Sequence, residues 1–385
     1  MHMPASPWYD VAMRILISGG GTGGHIYPAL AVARELQSRY AAELLFIGDV
    51  NGLETEIVPK AGIPFQAIAA GKLRRYLSPQ TFTDLARIPV GMVQALRYVR
   101  QFRPDAAFTS GGYVSVPAGI AARRYGAPLL MHQQDVSPNL ANRLLTPLAT
   151  RISVSFADSL PHFPAGRTAL AGNPVRESVA RLAGTPSAAA KPVFGFDPAL
   201  PVVLVTGGSQ GARHLNEVVV AALPDLLPQC QVLHVSGTLT HLATKSAAEA
   251  QLAALPELRN RYVLHPYLDE QMPDALAAAD VVLCRSGAAT LAELALLGRA
   301  SVLVPLPPGF TGSPQAANAA MFERTGAAAV LADRDLTPAT LLADLLPLLT
   351  SSERRDQMAA AARTFARPDA ARVLAETVAT LAAGR

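Results

Sequence analysis

Short apolar runs rich in β-branched residues alternate along this chain with longer stretches whose apolar positions recur every three or four residues. The first short run, residues 13–17 (MRILI), reads as a buried parallel strand. After it, Ala29, Val32, Ala33 and Leu36 recur at helical spacing, leaving Arg34, Glu35 and Gln37 for the opposite face. Residues 44–48 predict a second strand, and residues 56–59 with 62–65 continue an alternation of strand and loop. Residues 106–110 and 129–131 predict further strands. The pattern then restarts: residues 202–206 form an apolar run, followed by a helical stripe at Leu215, Val218, Val219 and Leu223. Strands at 231–235, 262–264, 281–284 and 301–304 follow, and alanine-rich helices finish the chain, with Pro368 separating the last two.

The breaks between strand and helix carry the chemistry. Ser18-Gly19-Gly20-Gly21-Thr22-Gly23-Gly24-His25 lies between the first strand and the first helix, and Gly207-Gly208-Ser209-Gln210-Gly211-Ala212 occupies the same place in the second half. Glycine lets backbone N–H groups approach a ligand at a helix start, where the macrodipole favours phosphate. Two such cradles, one opening each half, predict an α/β chain of two Rossmann-like, doubly wound parallel-sheet domains facing across a cleft that holds the ligand. Gly111-Gly112 after the strand at 106–110, and the His132-Gln133-Gln134-Asp135 cluster after the strand at 129–131, are expected to line the same crevice. The expected division is an extension over 1–12, an N-terminal domain over 13–172, a C-terminal domain over 173–362 and a terminal helix over 363–385 that packs back on the N-terminal domain. The Pro- and Ala-rich stretch 185–201 reads as the connection between domains.

Composition narrows the function. With 385 residues, 50% hydrophobic and 16% charged, the chain suits two globular domains. The net charge of +4 is too diffuse to argue for nucleic acid. Cys230 and Cys284 are the only cysteines and show no metal-ligand spacing, so a reduced cytosolic protein without structural zinc is expected. No run approaches the roughly 18 apolar residues of a membrane span, so any membrane contact is peripheral. One such contact is offered by Lys72, Arg74 and Arg75 beside Phe82 and Leu85, which read either as a solvated basic turn before a core helix or as a patch for an anionic membrane surface. No Walker lysine, GxSxG, HExxH or EF-hand pattern is present. Gly19, Gly21 and Gly24 satisfy GxGxxG, but Asp49 lies too far on for the ribose-binding acid of a dinucleotide site. A nucleotide-linked substrate remains.

Six ordered motifs, GGTGGH, GGYVS, GNPVR, GGSQGAR, a CRSGAxTxxE run and a QxxNA segment, resemble those of the MurG family of bacterial transferases. That resemblance implies a GT-B fold and transfer of N-acetylglucosamine (GlcNAc) from UDP-GlcNAc to undecaprenyl-diphosphate-MurNAc-pentapeptide, with inversion and no required metal or other cofactor. It also implies attachment to the cytoplasmic face of the cell membrane, with the acceptor on the N-terminal domain and the donor on the C-terminal one. By the same resemblance Thr22, Gly23 and Gly24 lie near sugar and acceptor, Asp135 belongs to the substrate site, and Ser209 and Arg176 serve the donor. Glu293 takes the ribose hydroxyls, Ala288, Ala289, Thr290, Leu291 and Ala292 form a turn beneath diphosphate and ribose, the Leu268 backbone meets uracil, and Gln315 reads the sugar hydroxyls. From spacing alone Ser209 is equally an N-cap, Arg176 a surface ion pair, Glu293 a residue on a solvated face and Leu268 a core residue. The chain departs from the family at Gln133 and Asp135, where a Glu and an Asn are usual, and at Pro314, where the first of two glutamines is usual. His25 is the candidate base by chemistry, because a helix N-terminus favours its neutral form; the alternative is a bond to the acceptor diphosphate or a cap. His132 is the second candidate base. A nucleotide-sugar epimerase, a nicotinamide dehydrogenase and a non-catalytic nucleotide-sugar binder are the other classes compatible with paired cradles.

Overall fold

The computed structural model describes residues 13–71, 79–307 and 315–384, with the backbone alone for 79–86. The expected extension, Lys72, Arg74, Arg75, Pro314 and the side chains of Phe82 and Leu85 lie outside the described residues. Two units emerge, one formed by the chain up to Val175 together with the segment from Asp369, the other by Arg176–Pro368.

Among the described residues of the first unit seven strands pair in parallel in the order β3-β2-β1-β4-β5-β6-β7. They are β1 (Arg14–Ser18), β2 (Glu43–Asp49), β3 (Phe65–Ile68), β4 (Ala106–Thr109), β5 (Leu129–Gln133), β6 (Arg151–Val154) and β7 (Thr168–Leu170). Ile15, Ile17, Phe46 and Phe108 face one layer of core while Leu16, Ile47, Ala107 and Leu129 face another, as a sheet covered on both faces requires. The helix Gly23–Tyr40 covers the first layer, burying Ala29, Val32, Ala33 and Leu36. The last helix, Ala370–Ala383, packs against it through Leu374, Ala375 and Val378. Residues 56–59, expected as strand and loop, instead lie in the helix Glu54–Lys60. Its short span and its Pro59 hide the helical period, and Val58 anchors it in the core.

Among its described residues the second unit holds six parallel strands in the order β10-β9-β8-β11-β12-β13. These are β8 (Val202–Thr206), β9 (Gln231–Val235), β10 (Tyr262–His265), β11 (Val281–Cys284), β12 (Ala300–Leu303) and β13 (Ala329–Val330). The stretch 185–201, read as a connection, is built into this unit. Lys191 is buried and donates to the Pro198 and Leu200 carbonyls, with its ammonium 2.8 Å from Asp280. Asp280 also accepts from the Val202 N–H at the start of β8. Cys230 and Cys284 are buried free thiols, both pushed up to about 12 by desolvation and therefore unreactive.

Both sheets reverse direction of growth beside their first strand, between β1 and β4 and between β8 and β11. The carboxyl ends of these strands are where an open α/β sheet binds ligands. Because Leu374 reaches this core from a segment far along the chain, Leu374→Ala is expected to destabilise the first unit by about 2–5 kcal/mol. Urea unfolding followed by circular dichroism measures it; a loss below 1 kcal/mol would mean the last helix only rests on the surface.

Candidate functional site

In the first unit, β1 ends at Ser18 and the chain turns through Gly21, whose φ of +84° suits glycine, into an extended Thr22 and the helix Gly23–Tyr40. Thr22 does not cap that helix with its side chain, and the first turn carries no acid. Helix geometry leaves the N–H groups of Gly23 and Gly24 without intrahelical acceptors, so they form an anion-competent end beside the exposed Thr22. The turn after β4 packs directly on this loop. Gly20 N–H donates to the Gly111 carbonyl at 3.4 Å, and a Cβ at Gly112 would lie 2.3 Å from Gly20 O.

His25 is clamped by the same turn. Ser110 Oγ donates to the His25 carbonyl at 2.7 Å, and the His25 ring meets Ser110 O through Nδ1 at 3.1 Å. A carbonyl only accepts, so Nδ1 carries the proton and Nε2 of the neutral ring keeps its lone pair. Burial lowers the His25 pKa from 6.5, while the Asp135 charge and the Ser110 bond oppose that shift. Asp135 is itself buried and near enough for its charge to act on His25, which follows Thr22, Gly23 and Gly24 at the helix start.

His132 is a different case. It has no exposed surface; Nδ1 accepts from Ser153 Oγ at 2.9 Å and Nε2 donates to Asn173 Oδ1 at 3.2 Å. Burial brings its pKa down to about 4. With both ring nitrogens engaged and no access, the second candidate base is a core residue. Gln133, where the family has a carboxylate, is also fully buried. Its amide donates to the carbonyls of Asp135 at 2.8 Å and Ser137 at 3.0 Å, and its oxygen accepts from Asn142. A carboxylate could supply neither donor, so Gln133 holds the turn that carries Asp135. Asp49 ends β2, yet its carboxylate accepts the Tyr113 hydroxyl at 2.6 Å and faces Arg87 at 3.8 Å, so it is committed inside the fold.

In the second unit β8 leads into a turn closed by Gly211 N–H on the Gly208 carbonyl. Ser209 is exposed at its tip, and its carbonyl accepts the Thr238 N–H at 3.2 Å. The N-cap of the following helix, Arg213–Leu226, is Ala212, so Ser209 is not a cap. Gly211 and Gly237 cross so closely that a Cβ on Gly237 would stand 2.1 Å from Gly211. Below them Asn216 donates to the Ser236 carbonyl and to Thr240, and its oxygen meets buried His234.

After β11, Gly287 is the extended N-cap of the helix Ala288–Leu297. Ala288, Ala289, Thr290, Leu291 and Ala292, expected as a turn, are therefore the opening of a helix, since five small or apolar residues without glycine or proline favour helix. Glycine offers no side-chain cap, and no acid occupies the first turn, so a second set of N–H groups is left for an anion. Gln315 lies beside this end: its carbonyl oxygen accepts Leu306 N–H, and its amide nitrogen is 3.8 Å from the place of a Cβ on Gly287. Glu293 is 9% exposed, which removes the solvated-face reading. Arg176 holds it in a fork, Nε to Oε1 at 2.7 Å and Nη2 to Oε2 at 3.2 Å, and both side chains are mostly buried. The Leu268 side chain is core, at 4% exposure, beside exposed Tyr267.

Sequence reasoning missed Glu54, which is fully buried beneath the first loop, and the role of Ser110 in orienting His25. The glycines at 48 and 52, both just ahead of Glu54, were the available signal. A cavity of about 550 Å³ lined by Arg14, Arg97, Arg100 and Arg103 sits at the amino end of β1, away from the glycine loop at its carboxyl end. Among the described residues no group of three His, Cys, Asp or Glu side chains could hold a metal ion.

Comparison with known proteins places these features. Residues 15–154 match the glycosyltransferase family 28 N-terminal domain and residues 202–374 the glycosyltransferase family 28 C-terminal domain. The UDP-N-acetylglucosamine–N-acetylmuramyl-(pentapeptide) pyrophosphoryl-undecaprenol N-acetylglucosamine transferase of Desulforudis audaxviator is 39% identical over 364 residues, covering 93% of this chain and 95% of that one. The crystal structure of Acinetobacter baumannii MurG superimposes with a TM-score of 0.73 at 26% identity, over 96% of this chain and 100% of the other. A UDP-GlcNAc 2-epimerase from Neisseria meningitidis reaches a TM-score of 0.66 at 14% identity over 96% of this chain and all of the other, a likeness of fold alone. With two parallel-sheet units of the GT-B class, both family domains matched in order and a relative of this identity along nearly its whole length, the chain belongs to glycosyltransferase family 28, among the MurG enzymes.

Proposed function

We propose that this protein moves GlcNAc from UDP-GlcNAc to the 4-hydroxyl of MurNAc in undecaprenyl-diphosphate-MurNAc-pentapeptide, with inversion at the sugar carbon. The observation that carries the reading is the His25 clamp: a neutral imidazole with Nδ1–H held by a carbonyl and Nε2 free to accept, beside an uncapped helix end suited to a diphosphate. Such a pair suits the transfer for which the relatives are named, of N-acetylglucosamine to a pyrophosphoryl-undecaprenol acceptor, since a hydroxyl proton must leave and a diphosphate must be held. In the step, Nε2 takes the acceptor hydroxyl proton as that oxygen bonds the sugar carbon. The bond from this carbon to the β-phosphate oxygen breaks, and UDP departs with the electron pair.

The donor-side residues Ser209, Arg176, Glu293, Gln315, the Leu268 backbone and the helix start at 288–292 serve UDP-GlcNAc in this reading. Arg176 and Glu293 supply opposite charges that a nucleoside diphosphate divides between them, the phosphates drawing the guanidinium and the ribose hydroxyls donating to the carboxylate. Asp135 and the loop Thr22–Gly24 serve the acceptor. The reaction class requires contact with a membrane surface, which we place on the cytoplasmic face. Among the described residues no helix is long and apolar enough to cross a membrane. An epimerase would convert UDP-GlcNAc to an isomeric UDP-sugar without the lipid acceptor and with no net release of UDP, and a non-catalytic binder would leave UDP-GlcNAc unchanged; transfer of labelled GlcNAc to the lipid separates both from the proposal.

Glu293→Ala is expected to raise the KM for UDP-GlcNAc by the loss of a charged hydrogen-bond acceptor, about 1.5–3 kcal/mol or roughly 10- to 150-fold. Steady-state kinetics on folded variant measures it, and an unchanged KM would remove Glu293 from the donor site. His25→Ala should lower kcat by about 10²–10⁴-fold with UDP binding intact. Because burial holds the His25 pKa below 6.5, the base is lost only as pH falls through that lowered value, so the acid limb of kcat lies below 6.5 and disappears in the variant. An acid limb that survives His25→Ala would assign the base elsewhere. Replacing Lys72, Arg74 and Arg75 together by Glu is expected to weaken sedimentation with vesicles containing anionic phospholipid, at about 1 kcal/mol per cation; equal binding by variant and parent would rule this segment out as the membrane contact.

A further inference from the structure

Glu54 has no exposed surface, although glutamate is rarely buried completely. Its Oε1 accepts Asp49 N–H at 2.9 Å, and its Oε2 accepts Gly21 N–H at 3.3 Å in the loop that precedes His25. Three segments approach this side chain, each with a glycine. A Cβ would stand 2.1 Å from Oε1 at Gly20, 2.4 Å from Cγ at Gly48 and 2.3 Å from Cδ at Gly52. The first of these belongs to the loop itself, so the carboxylate and the loop backbone are shaped to each other.

The surroundings keep the carboxylate in place. Asp49 is buried beside it and accepts the Tyr113 hydroxyl, with Arg87 at 3.8 Å from its other oxygen. Tyr113 in turn covers the loop, for a Cβ on Gly21 would lie 3.1 Å from its ring. Of the successive loop N–H groups, that of Gly20 is spent on Gly111 O and that of Gly21 on Glu54. The helix end at Gly23 and Gly24 is left to face outward.

We propose that Glu54 is a positioning residue for acceptor binding. It draws the Gly21 N–H inward, sets the loop so that the helix end receives the acceptor diphosphate, and by its negative charge keeps phosphate away from the Gly20–Gly21 segment. This rests on the reading of that loop as the acceptor side. The hydrogen bonds of Glu54 run to the backbone of Gly21 and Asp49, within the unit that carries the acceptor loop, so its removal acts on the acceptor side.

The test is steady-state kinetics of the full chain with Glu54→Gln and Glu54→Asp, varying UDP-GlcNAc and the undecaprenyl-diphosphate acceptor separately. Both variants should lose about 10- to 100-fold in kcat/KM for the acceptor, as expected for a charge-assisted bond, with the KM for UDP-GlcNAc within about twofold of the parent. Glu54→Asp keeps the charge but not the reach, so it carries the test should Glu54→Gln fail to fold. A parent enzyme that transfers GlcNAc, with folded variants that keep acceptor kcat/KM or lose both substrates equally, overturns the role of Glu54 and leaves the functional reading standing. A parent that does not transfer GlcNAc to the lipid overturns both.

Discussion

Close contact of backbone with backbone at two glycine crossings is the constraint on which the functional ends of both sheets depend. Gly20 meets the turn at Gly111 and Gly112 in the first unit, and Gly211 meets Gly237 in the second, each at a separation that leaves no room for a Cβ. Side chains between these turns would push the loops off the strand ends and turn the helix N-termini away from the crevice at the point where strand order reverses. Uncapped helix starts at Gly23 and Ala288 follow from the same economy: the residues before them, Thr22 and Gly287, leave the first N–H groups without a side-chain acceptor. Capping them would stabilise each helix by about 0.5–2 kcal/mol and would occupy the groups a diphosphate needs.

Charge in the two units is handled by opposite means. In the second, Arg176 and Glu293 neutralise each other in a fork held largely out of water, so removing either takes an opposite charge from the other at a mostly dry place. In the first, the ring of His25 is kept neutral by burial, and its proton is located by a carbonyl that can only accept. The buried Glu54 carboxylate accepts two backbone N–H groups, and Asp49 accepts the Tyr113 hydroxyl on one oxygen while the other has no hydrogen bond among the described residues and faces Arg87 at 3.8 Å; burial with these neighbours pushes that phenol further up, so it stays a donor. Polar groups close to a reaction gain strength from a dry setting only when each has a partner.

The departures from the family's motifs have structural accounts of unequal kind. Gln133 is locked by two turn carbonyls and by Asn142, and works as a scaffold for Asp135. Gln315 stays beside the helix start at Gly287 with its oxygen already engaged by Leu306 N–H. Its amide nitrogen is turned toward that helix start, 3.8 Å from the place of a Cβ on Gly287.

How much of this was legible beforehand depends on the range of the interaction. Strand and helix periods, the two glycine cradles and their repetition along the chain are local patterns, and they alone determined the two parallel sheets and the residues at their strand ends, because side-chain period and φ preference act within a few residues. The helix Glu54–Lys60 escaped because it is short and carries a proline. The folding of residues 185–201 into the second unit escaped because a buried Lys191 looks like any lysine until Asp280 is beside it. His132 and His25 are alike in sequence, each a histidine near a strand end or glycine turn; only the tertiary structure separates them, enclosing one between Ser153 and Asn173 and leaving the other with Nε2 unclaimed by Ser110. Which polar residue is locked into the core and which keeps a polar atom unclaimed was decided by partners such as Ser153 for His132, 21 positions away, and Glu293 for Arg176, 117 positions away, because burial and hydrogen bonding are properties of the assembled space around a group and not of its neighbours in the chain.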